Sequence, residues 1–300
     1  MFKKYQHIER LLSDEVEGLL MGEVVVQPKI DGANGSIWCE WDGWLGTIKC
    51  ATRNQEVTPD NEAMGLRDWV KSDEVAVALM KLFNVHHDWR LYGEWLFPHS
   101  LKTYRSDAWR KFYVFDVLDD ETETFVPFSV YQPELSACGL DYIPVLALVT
   151  NPTVEVLQGL VDRNTYLIED GKGVGEGLVI KRYDFRNKYG RTTWGKIVRN
   201  EFKEKNLAAF GPVKLNGGLT DELVFAQEYV TRARVEKARL ELEPWQSKKI
   251  PGLFGIVYHD LITEELWDFL KDRKNKVTLD FKVLQGYVTT QVKVVYPELF

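Results

Sequence analysis

Lys29-Ile30-Asp31-Gly32-Ala33-Asn34 stands between the apolar run Val24-Val25-Val26 and the segment Gly35-Ser36-Ile37-Trp38. This order predicts a strand, a tight glycine-containing turn and a second strand. Lys29 then lies at the end of a strand, next to glycines that let a backbone approach a bulky ligand. Such a lysine acts as a nucleophile if its pKa is lowered, because only the neutral amine attacks. The alternative is a hairpin that carries a solvated lysine.

Four further segments combine strand-forming residues with charged ones. They are Tyr92-Gly93-Glu94-Trp95, Phe112-Tyr113-Val114-Phe115-Asp116-Val117, Glu176-Gly177-Leu178-Val179-Ile180-Lys181 and Trp194-Gly195-Lys196-Ile197-Val198-Arg199. With the Lys29 segment, and in this order, they resemble the nucleotidyltransferase motifs of ATP-dependent ligases and mRNA capping enzymes. The form is most similar to RNA ligases of the phage type that seal nicks in duplex RNA. The opening residues, Met1-Phe2-Lys3-Lys4-Tyr5, also resemble the start of that family.

The resemblance implies an α+β fold. We expect a nucleotidyltransferase (ATP-grasp-like ligase) domain of antiparallel sheets flanked by helices over residues 1–205, and a smaller, mainly helical domain over 206–300. Within the first domain, periodicity predicts a helix over residues 5–20, a helix over 62–85, and strands over 23–30, 35–41 and 44–52. A long amphipathic helix is expected from Thr220, as its N-cap, to Glu243. The segment Val277 to Phe300 favours strand by propensity, but the resemblance implies a mainly helical structure there.

The function that the resemblance implies is ATP-dependent RNA ligation. A 3′-hydroxyl and a 5′-phosphate are joined through a lysyl-AMP and an adenylated-RNA intermediate. Lys29 is then the nucleophile that accepts AMP, and Lys196 lies on the same phosphate. Glu176 binds Mg²⁺ or Mn²⁺, and Glu94 binds the ribose hydroxyls or helps place the metal.

Other site residues follow from the same resemblance. Arg53, Phe115 and Lys181 are expected to contact the nucleotide, with Phe115 stacked on the adenine. Asn34 and Arg199 are expected to act in the later steps. The alternatives are a loop arginine at Arg53 and a buried core residue at Phe115.

Two positions depart from the family pattern. Asp31 stands where the duplex-RNA ligases often have histidine, a form that is seen more widely among ligases and capping enzymes. Val198 stands where a second basic residue is usual in the last motif. The second base is then Arg199, which in a regular strand points to the opposite face from Lys196, or else Lys181.

Three other functions compete with RNA ligation. A capping guanylyltransferase would use GTP, a DNA ligase is a second possibility, and a relative that binds nucleic acid without catalysis is a third. DNA ligases and capping enzymes usually continue into an OB barrel of short strands, whereas a long helix is expected here after residue 220. The intact Lys29, Glu94, Glu176 and Lys196 argue against an inactive relative.

Charge is unevenly distributed along the chain. The formal net charge is −7, yet residues 181–205 carry nine lysines and arginines against three acidic residues. A basic strip in an acidic protein is typical of one phosphate-binding surface, and the alternative is a solvated loop. The resemblance implies RNA as the partner, either a nicked duplex or a structured RNA, and we expect a monomer.

Composition predicts a soluble, intracellular protein, and the resemblance implies the cytoplasm, or the host cytoplasm if a phage encodes it. Cys39, Cys50 and Cys138 show no CxxC spacing, which argues against a disulfide framework or a zinc site. No run approaches the roughly 20 apolar residues of a membrane span, so no membrane partner is expected.

Overall fold

A computed structural model of the protein describes residues 1–11, 13–59, 63–98, 103–199 and 220–300. The described residues up to Val198 form one compact unit, and those from Arg199 onward form a second. The predicted domain boundary between residues 205 and 206 lies outside the described residues.

The described part of the first unit contains ten strands. In chain order these are β1 (Glu9–Arg10), β2 (Glu23–Lys29), β3 (Ala33–Asp42), β4 (Leu45–Thr52), β5 (Trp89–Leu96), β6 (Lys111–Asp119), β7 (Thr124–Val126), β8 (Ala147–Thr150), β9 (Gly177–Lys181) and β10 (Gly195–Val198). They form two five-stranded sheets, in the spatial orders β1-β10-β9-β2-β8 and β4-β3-β5-β6-β7. Every neighbouring pair is antiparallel except β1 and β10, which are parallel.

Helices pack against both sheets of the first unit. The described helices of the first unit are α1 (Leu66–Lys71), α2 (Asp73–Phe83), α3 (Phe128–Cys138) and α4 (Val154–Val161). On the second sheet, the Trp69 ring of α1 lies 5.7 Å from the Trp95 ring and 6.0 Å from the Phe112 ring, measured between centroids. On the first sheet, Leu157 and Val161 of α4 are buried with the apolar residues of β2 and β9.

Strand alternation separates the two faces of the first sheet. In β2 and β9 the apolar residues Val24, Val26, Leu178 and Ile180 are buried in the α4 cluster. Side chains alternate along a strand, so Lys29 and Lys181 point to the opposite face of the first sheet. This second face of the first sheet therefore holds Lys29 and Lys181, two of the residues that the motifs predicted to be functional.

The predicted helix over residues 5–20 is wrong. This segment contains β1 and a short 3₁₀ helix, Asp14–Val16. The apolar residues Leu11 and Leu19 are nevertheless buried against the first sheet. Arg182 donates from its Nη1 atom to the carbonyl oxygens of Gly18, Leu19 and Met21, which holds the end of the segment in turns rather than in a helix.

The predicted helix over residues 62–85 is interrupted. Ser72 is extended (φ −62°, ψ 142°) and separates α1 from α2. The three predicted strands 23–30, 35–41 and 44–52 are present as β2, β3 and β4, and the strands expected at Glu94 and Phe115 are present as β5 and β6.

The described residues 220–300 of the second unit contain five α-helices and no strand. They are α5 (Asp221–Tyr229), α6 (Arg232–Leu240), α7 (Ile250–Glu264), α8 (Leu266–Asp272) and α9 (Phe281–Val295). Leu284, Val288, Val292 and Val295 are buried at helical spacing in one cluster with residues of the other helices. The expected α+β fold with a mainly helical C-terminal part is therefore confirmed.

The helix expected from Thr220 to Glu243 is two helices. The Thr220 hydroxyl accepts from the Leu223 N–H at 3.3 Å, as expected of an N-cap. Val230 is then extended, and the Thr231 hydroxyl caps α6 by accepting from the Arg234 N–H at 3.2 Å. Within the described ranges, no helix has the length and apolar character that a bilayer crossing requires.

Candidate active site

Lys29 and Glu176 meet where β2 ends and β9 begins. The register pairs Lys29 with Gly177, so Glu176 lies one residue before β9 and beside the lysine. The Lys29 Nζ atom donates to both carboxylate oxygens of Glu176, each at 2.7 Å. Gly177 permits close packing on its other side, because a Cβ there would lie 2.0 Å from the Ile197 carbonyl oxygen of β10. Two of the predicted site residues are thus in direct contact.

The charge state of Lys29 follows from its neighbours. Burial lowers the pKa of Lys29, but the carboxylates of Glu176, Glu94 and Asp31 raise it by more, so the pKa stands above its ordinary value of 10.5. Lys29 is therefore an ammonium ion at neutral pH in the free protein. The attacking amine requires a change in this electrostatic environment, because the proton must leave first.

The turn after Lys29 is fixed by side chains from other segments. The Gly32 N–H donates to Glu94 Oε1 at 2.9 Å, and the Asp31 N–H donates to the Tyr104 hydroxyl at 2.6 Å. A Cβ at Gly32 would lie 2.7 Å from the Trp95 carbonyl oxygen. This turn therefore needs glycine at position 32, and it brings Glu94 to the nucleophile.

Asn34 lies on the same face as Glu94. The two residues are directly opposite each other in the pairing of β3 with β5, so their side chains emerge together. Arg53 follows Thr52 at the end of β4, where Thr52 pairs with Gly35 of β3. Asn34 and Glu94 therefore lie side by side on β3 and β5 of the second sheet. Arg53 directly follows β4, the other neighbour of β3.

Phe115 lies at a β-bulge. The register of β5 with β6 shifts between Tyr92 and Gly93, which pair with Asp116 and Val114, and leaves Phe115 as the extra residue. Bulges re-aim a side chain and are frequent beside active sites. The ring of Phe115 is half-buried and lies 5.0 Å from the Tyr5 ring.

Lys181 has a buried partner. Its Nζ atom donates to Asp116 Oδ1 at 2.8 Å and to the Phe115 carbonyl oxygen at 2.6 Å. Asp116 Oδ2 also accepts from Trp194 Nε1 at 3.1 Å and from the Tyr5 hydroxyl. Burial lowers the pKa of Lys181 more than Asp116 raises it. The Asp116 carboxylate therefore links Lys181, Trp194 and Tyr5. The sequence motifs did not predict this role for Asp116.

Lys181 and Lys29 lie at different points of the first sheet. The register pairs Lys181 with Val25 and Gly177 with Lys29, a separation of roughly 13 Å along the strands at about 3.3 Å per residue. The nucleotide contact of Lys181 stays a prediction, because the observed contacts of its Nζ atom are with Asp116 and Phe115.

The last motif lies on β10. Lys196 pairs with Val179 and Val198 pairs with Gly177, so both side chains share the face of Lys29. Val198 is in line with Lys29, and Lys196 is one pleat further along. Arg199 falls in the second compact unit, and its role stays a prediction.

The basic strip is divided by the fold. Residues 182–194 join β9 to β10 at the end of the first sheet away from Lys29. Arg186, Lys188 and Arg191 are exposed on this loop, whereas Lys196 lies within β10. Asn187 shapes the loop, because its Oδ1 atom accepts from the Tyr189 and Arg191 N–H groups, both at 3.0 Å. Residues 200–205 of the strip lie outside the described residues.

Carboxylates are the candidate metal ligands. Glu176 and Glu94 both act on Lys29, and hard divalent cations such as Mg²⁺ and Mn²⁺ prefer oxygen ligands. Mg²⁺ usually retains several waters and takes one or two carboxylates from the protein. Among the described residues, no group of three or more His, Cys, Asp or Glu side chains could hold a metal ion.

Comparisons with known proteins identify a family and a fold. A model of the RNA ligase family matches residues 22–198, more than half of the chain. The structure is similar to Naegleria gruberi RNA ligase with pyrophosphate, with a TM-score of 0.51 and 20% identity over 69% of this chain and 58% of that chain. A variant of that ligase with ATP and manganese gives a TM-score of 0.51 and 21% identity, over 68% of this chain and 58% of that chain.

The likeness to the Naegleria structures shows a shared fold at low identity. The chain spans about 58% of the length of the Naegleria ligase that it matches. No curated protein sequence matches this chain significantly.

Proposed function

The chain belongs to the RNA ligase family, and on this premise we propose that it is an ATP-dependent RNA ligase. The observation that carries the proposal is the Lys29–Glu176 contact at the junction of β2 and β9, with both Glu176 oxygens 2.7 Å from Nζ. A lysine at a strand end, with its charge controlled by carboxylates from two sheets, suits a nucleophile that attacks a phosphate. The Naegleria ligase was solved with ATP and manganese, which supports ATP as the nucleotide.

In the first step we propose that Lys29 forms a bond to the α-phosphorus of ATP. The Nζ lone pair attacks once the ammonium has released a proton to solvent. The bond from the α-phosphorus to the bridging oxygen breaks, pyrophosphate leaves with that electron pair, and the nitrogen loses a further proton. Lys196, on the same sheet face as Lys29, stabilises negative charge on the phosphate oxygens by its own positive charge.

In the later steps AMP leaves Lys29. A 5′-phosphate oxygen of the RNA attacks the adenylate phosphorus, the bond to Nζ breaks as the nitrogen takes up a proton from solvent, and adenylated RNA forms. A 3′-hydroxyl then attacks the 5′-phosphorus, its proton passes to solvent, and the bond from that phosphorus to the bridging oxygen breaks, so that AMP leaves with the electron pair. We propose that Asn34 and Arg199 orient the RNA ends in these steps. Phe115 and Arg53 hold the adenosine, and Lys181 supports the nucleotide through Phe115.

The carboxylates fit a divalent metal ion in chemistry. Glu176 would hold Mg²⁺ or Mn²⁺ with water and substrate phosphates as the other ligands, and Glu94 would bind the ribose or help to place the metal. When bound, the ion supplies positive charge that neutralises the phosphates and disfavours protonation of Lys29. Before that, Glu176 keeps Lys29 in place through their two hydrogen bonds.

The proposal also covers the RNA substrate, the oligomeric state and the cellular compartment. We propose a nicked duplex or a structured RNA as substrate, a monomer as the active form, and the cytoplasm, or the host cytoplasm of a phage, as the compartment. The order of the motifs supports the first point, because it resembles the nick-sealing RNA ligases. We also propose a domain division at residues 205 and 206, where the basic strip ends.

The test is transfer of label from α-phosphate-labelled ATP or GTP to the protein in the presence of Mg²⁺. The expected result is a covalent label from ATP on the wild-type protein and none on Lys29→Ala. Lys172→Ala, an exposed lysine on the segment before Glu176, serves as the control and should label normally. Label from GTP alone would favour a capping enzyme. Absence of label from both, in folded protein that mass measurement shows to carry no AMP, would rule out both enzymes.

A nicked RNA duplex then tests the acceptor. Sealing of nicked RNA by wild-type protein supports the proposal, and sealing restricted to nicked DNA would favour a DNA ligase. The RNA and DNA substrates should share one sequence, so that only the sugar differs.

A further inference from the structure

Tyr104 reaches the nucleophile turn from a separate part of the chain. Its hydroxyl oxygen accepts the Asp31 N–H at 2.6 Å. The side chain is buried, with 5% of its surface exposed. Asp31 follows Lys29 by two residues, so this hydrogen bond fixes the backbone just beyond the lysine.

The segment that carries Tyr104 is itself held firmly. Residues 103–105 pair with residues 167–169 through hydrogen bonds from the Arg105 N–H to the Leu167 carbonyl at 2.9 Å and from the Glu169 N–H to the Thr103 carbonyl at 2.8 Å. The Tyr104 ring also packs edge-on against Trp109 at 5.3 Å between centroids. Residues 167–169 lead along the chain to Glu176, so Tyr104 joins the segment before Glu176 to the turn after Lys29.

The hydroxyl stays protonated under all working conditions. Burial, and then the negative charge of Asp31, raise the pKa of Tyr104 well above its ordinary value. A phenolate would accept the Asp31 N–H more strongly, but burial of the side chain, and then the negative charge of Asp31, disfavour it by raising the pKa of Tyr104. Tyr104 thus acts as a neutral acceptor with a constant geometry.

We propose that Tyr104 is a positioning residue for Lys29, whose hydroxyl aligns the lysine with the α-phosphate by fixing the Asp31 backbone. The inference rests on the proposed ligase function. Misplacement of reacting groups by small distances slows a reaction strongly when binding is unchanged. Tyr104 has no role here in contacting ATP, so ATP binding should be retained when its hydroxyl is removed.

The three steps of ligation respond differently to this change. Lys29 is the nucleophile in the first step and the leaving group in the second, but it forms no bond in the third. Loss of the Tyr104 hydroxyl should therefore slow adenylation of Lys29 and spare the sealing of RNA that was adenylated beforehand. A general loss of structure would affect all steps together.

Tyr104→Phe tests the proposal, and Tyr113→Phe is the matched control. Tyr113 is buried in the same apolar cluster, and its hydroxyl donates to the Ala108 carbonyl at 3.0 Å rather than accepting from the nucleophile turn. The measurements are the single-turnover rate of Lys29 adenylation, the ATP dissociation constant, and the rate of sealing a pre-adenylated RNA nick. Thermal unfolding of both variants reports on stability.

For Tyr104→Phe we expect at least a roughly tenfold slower adenylation, which corresponds to about 1.4 kcal/mol. Its ATP affinity and its sealing of pre-adenylated RNA should stay within about twofold of wild type, since neither depends on the attack by Lys29. Adenylation as fast as in Tyr113→Phe would overturn the inference. Equal losses in adenylation and in pre-adenylated sealing would overturn it too, because they would indicate a structural role. Wild-type protein that takes no label from ATP would refute the ligase function and the inference together.

Discussion

The Lys29 ammonium group is bound by both carboxylate oxygens of Glu176, each 2.7 Å from Nζ. One residue therefore holds the nucleophile in a protonated form and is also the candidate ligand of the metal. The two roles exclude each other at the same moment, because the carboxylate oxygens that bind the ammonium are those that a metal would use. The free protein is thus stabilised with an unreactive lysine.

Glu176→Gln should make the Lys29 amine more reactive toward a small acylating reagent. The Glu176 carboxylate is the largest influence that raises the pKa of Lys29. Without it, the pKa should fall, and the pH at which Lys29 becomes half-maximally reactive should be lower than in wild type. Transfer of AMP from ATP should fall, because the metal ligand is lost. Labelling of Lys29 is read by peptide mass analysis.

Glu169→Gln is the control for that experiment. Glu169 is exposed on the segment before Glu176, and its change removes one charge without touching the lysine. An unchanged pH profile of Lys29 in Glu176→Gln would contradict the electrostatic account.

Phe115→Leu should weaken ATP binding more than it weakens the fold. The bulge leaves Phe115 without a partner in the pairing of β5 with β6, and its side chain is half-buried. Stacking of a base on an aromatic ring contributes roughly 1–3 kcal/mol. The dissociation constant for ATP is the measurement. Phe125→Leu is the matched control, because Phe125 packs against the same aromatic cluster without lying at the bulge.

Equal ATP affinities of the two phenylalanine variants would count against adenine stacking. Phe115 would then be a residue of the core and not a contact of the nucleotide.

Lys181→Met should destabilise the first unit by about 3–5 kcal/mol, because it leaves the carboxylate of Asp116 buried without its counter-ion. Urea unfolding measures the change. Lys188→Met provides the contrast: its Nζ atom is 3.7 Å from Asp14 Oδ2 at the surface, and such pairs contribute at most about 1 kcal/mol. A normal stability with weakened ATP binding would instead assign Lys181 to the nucleotide.

Replacing Arg186, Lys188 and Arg191 together by glutamine should weaken RNA binding and flatten its dependence on salt. Each lysine or arginine that neutralises a phosphate contributes roughly 0.7–0.9 to the slope of log affinity against log salt. Adenylation of Lys29 should be unchanged, since the loop lies at the other end of the first sheet. Affinity is measured with an RNA duplex over a range of salt concentrations.

The exposed Lys71 and Lys172 supply the control for the loop variant. Their change to glutamine alters the net charge without altering the loop. A salt slope equal in the loop variant and in this control would show that the loop is a solvated surface.

Glu241→Gln should stabilise the second unit at pH 8 and leave it unchanged at pH 4. Burial, and then the carboxylate of Asp260, raise the pKa of Glu241 to about 7 from its ordinary value of 4.5. The folded unit therefore binds a proton that the unfolded chain releases between these values. The contribution of protonated Glu241 to the stability of the second unit is fully present below its ordinary pKa of 4.5 and is lost as the pH rises through about 7.

Calorimetric unfolding across this pH range measures the effect of Glu241→Gln. Glu236→Gln, on helix α6, removes the same charge and serves as the control. A stability difference between Glu241→Gln and wild type that is the same at pH 4 and pH 8 would contradict the assignment.

The sequence predicted the strands that carry the motifs, because their apolar residues and glycines mark buried, closely packed segments. Lys29, Glu94 and Glu176 come together as the family resemblance implied. The sequence did not predict a role for Tyr104, because this residue stands in a polar stretch and its hydrogen bond with Asp31 forms only in the tertiary fold. Asp116 was within a motif, but nothing in its spacing indicated that Lys181 and Tyr5 would converge on it.

Local patterns also misled where tertiary contacts decide the structure. The apolar residues of segment 5–20 have helical spacing, and Leu11 and Leu19 are indeed buried, yet parallel pairing of β1 with β10 replaces the helix. Thr231 caps a second helix where one long helix was expected. In the segment 281–295, valines with strand propensity form helix α9, because their spacing buries one face in the second unit.

The position of β2 between β8 and β9 has a consequence for synthesis on the ribosome. Lys29 precedes Glu176 by 147 positions, which a ribosome translates in roughly 7 to 30 s at 5–20 residues per second. For most of that time the apolar strand Glu23–Lys29 has neither neighbour of its sheet, because β8 begins only at Ala147 and β9 at Gly177, and unpaired strand edges favour aggregation. We therefore expect the yield of the protein to respond to translation speed between these two points.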